Sequence, residues 1–173
     1  MITKEVRIYC DEEENIVDNK ITKCFVSHCS SDSIIMNNFS TLIDEVCVQP
    51  NVFFNTFQEN NAISAGEERS EALKNNLQQA EFMIAIITDN YLRSIICISE
   101  LSSFWFMSKR VIPIIFNGEN GRRTLFELLG KDIIYIDSKG KIDEAAKKLA
   151  NTLIEFGIEF KDNSIATKKF EWF

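Results

Sequence analysis

The chain has 173 residues, 45% of them hydrophobic, and 26 Asp+Glu against 19 Lys+Arg give a formal net charge of −7. That length suits one domain with a proper core. Such an acidic balance disfavours nucleic acid, whose binding rests on neutralising phosphates, and disfavours anionic membrane surfaces. A small anionic ligand stays allowed, because backbone amides bind phosphate locally.

The five cysteines, Cys10, Cys24, Cys29, Cys47 and Cys97, form neither a CxxC pair nor a Cys/His cluster with metal spacing. Reduced thiols, no bound metal and a cytoplasmic setting are the simplest expectation. Lys4, Glu5 and Arg7 interrupt any signal-like apolar run near the start. The longest apolar run, Phe82–Ile87, falls far short of the roughly 18 residues of a membrane helix.

In chain order, Val6–Cys10 alternates like a short strand and Asp11–Lys20 is an acidic loop, so residues 1–20 read as an N-terminal extension. A main domain over 21–157 follows. Lys23–Ser27 is strand-like. Ser30, Ser31 and Asp32 are N-cap candidates for a helix carrying Ile34, Ile35, Phe39, Leu42, Ile43 and Val46 at helical spacing. Asn51–Phe57 reads as a second strand and Gln58–Gly66 as a polar loop. Glu67–Ala80 reads as a helix with Ala72, Leu73, Leu77 and Ala80 on one face and acids in its first turn.

Nearly all residues of Phe82–Thr88 are apolar, as expected of a central parallel strand covered on both faces. Ser94–Ser108 reads as the third helix, with Phe104, Trp105 and Phe106 mostly in the core. Val111–Phe116 is a fourth strand, placed at an edge or in an irregular ladder by Pro113. Arg122–Leu129 reads as a short helix, Asp132–Ile136 as a fifth strand and Lys141–Phe156 as the last helix. Alternating strands and helices imply an α/β fold: a five-stranded parallel sheet with helices on both faces. Residues 158–173 form a C-terminal tail ending in Phe170, Trp172 and Phe173, which folds back or meets a partner.

The chemistry concentrates in Ser94–Leu101, SIICISEL, which puts Glu100 on a helix just past the end of a strand. Open α/β sheets keep their ligands there. Taken alone, an acid at the start of a helix complements the helix dipole. Asp32 reads more readily as an N-cap than as a catalytic acid. His28, the one histidine, reads as a structural hydrogen-bonder or ligand contact. Cys97, at a helix N-terminus where a thiol pKa can fall, reads better as a small buried packing residue. Arg69 and Arg93 are candidate cations for an anionic ligand.

Three stretches together resemble the bacterial branch of the TIR (Toll/interleukin-1 receptor) domain: FVSHCSSD (Phe25–Asp32), AISAGEERSEALKNNLQQA (Ala62–Ala80) and ITDNYLRSIICISEL (Ile87–Leu101). The resemblance implies a flavodoxin-like fold and cleavage of NAD+, as substrate rather than cofactor, at the nicotinamide–ribose bond. It implies Glu100 as the catalytic residue, with Phe25, Ser27, His28, Ser30, Asp32, Arg69, Ser94 and Cys97 around the substrate. The family's Trp before the Cys is Ile96 here, with Trp105 as a candidate substitute.

Nicotinamide leaves as a neutral molecule and needs no proton, so one carboxylate suffices, unlike the pair used by most glycosidases. The implied partners are further copies of the chain, meeting through Gln58–Gly66, and a separate effector read through a cyclic or linear ADP-ribose signal, as in Thoeris-like anti-phage pairs. The alternatives are a non-catalytic interaction module and a nucleoside deoxyribosyltransferase-like enzyme.

Overall fold

The computed structural model describes residues 23–55, 67–116, 134–136 and 142–162. The expected strand Val6–Cys10, the loops Asp11–Lys20 and Gln58–Gly66, the helix Arg122–Leu129 and the aromatic tail end lie outside them. The described elements are β1 (Cys24–Ser27), α1 (Ser33–Val46), β2 (Phe53–Asn55), α2 (Glu67–Gln79), β3 (Phe82–Ile87), α3 (Asp89–Arg93), α4 (Ile95–Phe106), β4 (Arg110–Phe116), β5 (Ile134–Ile136) and α5 (Ile142–Glu155). Short 3-10 turns, Ser30–Asp32 and Pro50–Val52, precede α1 and β2. All strand pairs are parallel and the order is β2-β1-β3-β4-β5.

β3 is the centre. Every residue of it is buried, and its alternation sorts the core into two layers. Phe82, Ile84 and Ile86 point into the layer closed by Met36, Phe39, Ile43 and Val46 of α1 and by Ala146, Leu149 and Leu153 of α5. Met83, Ala85 and Ile87 point into the layer closed by Leu73 and Leu77 of α2 and by Cys97, Leu101 and Phe104 of α4. Helices on both faces explain why no polar residue interrupts this strand.

Three expectations about side chains fail for geometric reasons. Ile34 is exposed, because the stripe that meets the sheet runs through Met36, Phe39, Ile43 and Val46 instead. Trp105 and Phe106 are exposed as well. α4 aims Cys97, Leu101 and Phe104 inward, and the next two positions rotate away. Pro113 does not mark an edge: β4 lies between β3 and β5. The described pairing with β5 begins at Ile114, one residue beyond the proline, so this ladder does not use it.

α5 stops at Gly157, whose φ of +71° belongs to the left-handed region. Ile158 N–H donates to Leu153 O (3.0 Å) and Gly157 N–H to Ile154 O (2.8 Å), the paired bonds of a Schellman ending. The start of the tail then ties back to the end of α1: Val48 N–H donates to Glu159 O (2.9 Å) and Lys161 N–H to Val46 O (2.8 Å). On the other layer, the Lys109 ammonium donates to three carbonyls at the end of α2, Leu77 (3.0 Å), Gln78 (2.5 Å) and Ala80 (2.7 Å).

Candidate functional site

The site forms where the strand order reverses, between β1 and β3, at the C-terminal edge of the sheet. Loops leaving neighbouring strands there diverge to opposite faces and open a crevice. Two hydrogen-bonded braces hold these loops together.

The outer brace is Asp32. Thr88 Oγ1 donates to its Oδ2 (2.5 Å) and Asn90 Nδ2 to its Oδ1 (2.7 Å), so the loop after β1 is tied to the loop after β3. Thr88 also caps α3, accepting from Tyr91 N–H (3.1 Å). Asp32 occupies the N-cap position of α1, yet its side chain makes no capping bond. Expected both as a cap and as a substrate contact, it has both oxygens committed to this brace.

The inner brace contains Glu100. The helical run breaks at Ser94, whose extended backbone separates α3 from α4 and whose Oγ accepts from Cys97 N–H (3.3 Å). That restart sets the rotation of α4. Cys97, Glu100, Leu101 and Phe104 recur at helical spacing on its inner stripe. Glu100 is therefore only 4% exposed. Ser27 Oγ, at the end of β1, donates to Glu100 Oε2 (2.6 Å) and lies 3.0 Å from Tyr91 Oη. Tyr91 Oη in turn donates to Cys97 O (3.2 Å). Burial pushes the Glu100 carboxyl up to about 7, partly offset by the Ser27 hydrogen bond.

The other expected site residues fall into distinct places. Phe25 and Ser27 were expected to meet substrate, but both are fully buried, Phe25 between the rings of Phe54 and Phe104. They shape the site from within. His28 is buried beside Ser27, and loss of hydration holds its imidazole below the ordinary range. Ser30 is exposed on the turn before α1. Ser94 is a half-buried cap.

Cys97 is buried, and its thiol donates to His28 O (3.4 Å). Burial pushes that thiol up to about 11, so a thiolate nucleophile is absent at neutral pH. Arg69 lies in the first turn of α2, with its side chain outside the described residues. Arg93 is exposed at the end of α3.

Ile96 is exposed. Trp105 cannot stand in for an aromatic there: nine residues of helix separate the two by about 14 Å.

The reading of the chain missed Tyr91, Thr88 and Asn90. The signal for Tyr91 was a single aromatic three residues after a capping threonine, on a helix too short to show periodicity. Among the described residues, no group of three or more His, Cys, Asp or Glu could hold a metal ion, and no helix is long and apolar enough to cross a membrane.

A family model described as the TIR domain matches residues 24–154, from the first residue of β1 to within α5. The chain belongs to the TIR domain family. Within this TIR domain, both braces and Glu100 lie inside the matched span. It is also similar to YddK, an uncharacterised protein of Bacillus subtilis (strain 168), with 29% identity over 99 residues. That alignment covers 57% of this chain and 37% of the relative, so it spans little more than a third of YddK.

Proposed function

We propose that this TIR domain cleaves NAD+ at the nicotinamide–ribose bond, with Glu100 as the catalytic residue. The observation that supports this best is the Glu100 carboxylate, buried and held by Ser27, where the loops after β1 and β3 diverge. The pyridinium ring departs as neutral nicotinamide, so the bond needs no acid to break. Positive charge grows instead on the ribose. A carboxylate in a poorly hydrated site stabilises that charge more than one in water. The carboxyl's rise to about 7 implies an activity that increases as pH passes neutrality and Glu100 ionises.

In this proposal water or a nucleophile within the substrate captures the ribosyl cation, giving ADP-ribose or a cyclic form. Such a product suits a signal passed to a separate effector in a Thoeris-like defence pair, and copies of the chain assemble to complete the site.

The deciding experiment incubates the purified protein with NAD+ at high concentration and follows nicotinamide by chromatography. Wild type releases it, Glu100→Gln does not, and release per molecule rises with protein concentration. A folded Glu100→Gln protein with wild-type rates would overturn the assignment.

A second reading rests on a different observation. Ile95 and Ile96 at one end of α4 and Trp105 and Phe106 at the other are exposed, and no exposed residue of the helix is charged. A surface of that kind suits a non-catalytic interaction module. Absence of nicotinamide release at every concentration favours it, and parallel incubation with nucleosides covers a deoxyribosyltransferase-like activity.

A further inference from the structure

The Glu100 carboxyl presents its two oxygens differently. Oε2 accepts from Ser27, whereas Oε1 takes no hydrogen bond from any described residue. Ser27 Oγ is one link in a chain of four groups: Glu100 Oε2, Ser27 Oγ (2.6 Å), Tyr91 Oη (3.0 Å) and Cys97 O (3.2 Å). The ends of this chain are a titratable carboxyl and a carbonyl that only accepts. Between them stand two hydroxyls, each with one proton to give.

Those constraints leave two complete arrangements. With Glu100 ionised, Ser27 donates to Oε2 and Tyr91 gives its proton to Ser27 or to Cys97 O. With Glu100 protonated on Oε2, the carboxyl donates to Ser27, Ser27 donates to Tyr91, and Tyr91 donates to Cys97 O. Every O–H has an acceptor in both, and no heavy atom moves between them.

We propose that Ser27 and Tyr91 are positioning residues for Glu100, a hydroxyl relay that reverses direction with the carboxyl's charge and so holds Oε2 in both states, leaving Oε1 to face a ligand. The inference deepens the NAD+-cleaving reading and rests on it for its catalytic meaning. The relay itself is a property of the folded chain.

Other groups facing Glu100 do not supply this role. On its own helix the Cys97 thiol stays protonated, raised to about 11 by burial. On α3 the Tyr91 phenol is raised further still, again by burial, and serves as a neutral donor. On the loop after β1 the neutral His28 imidazole interacts with the charge of Asp32. From β3 and β4 the layer around α4 presents apolar side chains, Ala85, Ile87, Val111 and Ile115.

The two links make different predictions. Ser27→Ala removes the charged bond of the ionised arrangement but also two neutral bonds of the protonated one, Glu100 to Ser27 and Ser27 to Tyr91. The losses largely cancel, and the Glu100 pKa should move by less than about half a unit. Tyr91→Phe deprives the protonated arrangement of two bonds, Ser27 to Tyr91 and Tyr91 to Cys97 O, but the ionised one of only one. It should lower the pKa, by roughly half a unit to one unit. Ser27→Thr keeps the hydroxyl and should hold the wild-type value.

The test is a pH titration of the Glu100 carboxyl carbon by NMR in glutamate-labelled protein, assigned by the signal missing in Glu100→Gln. The acid limb of the nicotinamide-release profile is recorded beside it. A lowered value in Tyr91→Phe and a near-unchanged one in Ser27→Ala, with Thr at position 27 behaving as wild type, support the relay. A raised or unchanged value in Tyr91→Phe, or a rise of a unit or more in Ser27→Ala, overturns it, since a merely structural role would leave the titration in place and a bond to the ionised state alone would raise it. Should Ser27→Ala not fold, the sign in Tyr91→Phe decides alone. If the titrations behave as expected while wild type releases no nicotinamide, the relay stands and the NAD+ reading falls.

Discussion

Replacing Glu100 by Gln should stabilise this protein, and increasingly so as pH rises. The carboxyl's ordinary value of 4.5 is raised to about 7 by burial. At about 1.36 kcal/mol per unit the gap corresponds to about 3 kcal/mol. Because the folded-state value is the higher one, the folded protein holds this proton more tightly than the unfolded chain. Below about pH 4.5 both states are protonated and the site costs nothing. Between about 4.5 and 7 the unfolded chain has released the proton while the folded protein keeps it, and stability falls with each unit of pH. Above about 7 the full penalty applies.

Gln keeps an acceptor for the Ser27 hydroxyl and never ionises. Whatever its amide costs in that pocket, the cost does not vary with pH. The quantity to measure is therefore the stability difference between Glu100→Gln and wild type, from urea unfolding at pH 5.5 to 8.5, clear of the isoelectric region of a chain with net charge −7. The difference should grow by about 2 kcal/mol across that range in favour of Gln, the remainder having accrued below pH 5.5. Parallel curves, constant within about 0.5 kcal/mol, would show that Glu100 is not desolvated in the folded state, and the buried-carboxylate argument would fail with them.

Two further outcomes test the frame around the site. Gly157→Ala should lower stability by about 1–2 kcal/mol, the cost of a left-handed residue with a Cβ, read from the urea midpoint at constant slope. The new methyl would sit 3.1 Å from Lys23 Nζ, a flexible end that swings aside, so strain in the backbone accounts for the loss. Lys109→Met takes the ammonium from over the Phe104 ring and leaves the carbonyls of Leu77, Gln78 and Ala80 without their cation. A loss of about 1–2 kcal/mol, seen as a fall of about 3–6 °C in Tm, should follow, and an unchanged Tm would mean that water satisfies the end of α2 equally well.

The alternation of apolar runs with helical spacing was enough to read the parallel sheet, because β3 and β4 are continuous hydrophobic stretches and α1 and α5 carry amphipathic patterns. Composition could not show how far each helix is rotated. Ile34, Trp105 and Phe106 are as apolar as their buried neighbours, and only contact with the sheet sorts them. The start of α4 at Ser94 was read from the sequence, but α3 before it was not: it has five residues, less than any periodic signal needs. Pro113 allowed an edge or an irregular ladder, and only the strands on either side of β4 exclude the edge.

Glu100 was legible only by resemblance. Burial raises its proton affinity and brings it against Ser27, 73 residues away in the chain, a pairing that no local pattern encodes. The same holds for the link from Asp32 to Thr88 and Asn90, which span 56 and 58 residues.

The layered core has a consequence for synthesis. The face of the sheet bearing Phe82, Ile84, Ile86, Ile112 and Ile114 is roofed on one side by α1 and on the other by α5. Every described strand leaves the ribosome before the second half of that roof exists. Until Ala146, Leu149, Leu153 and Ile158 arrive, the nascent domain exposes an isoleucine-rich sheet surface to the cell. Chains stalled or cleaved ahead of Ile142 would be natural clients for hydrophobic-surface chaperones and prone to aggregate. Release of the last helix would then act as the commitment step that turns a sticky intermediate into a closed domain.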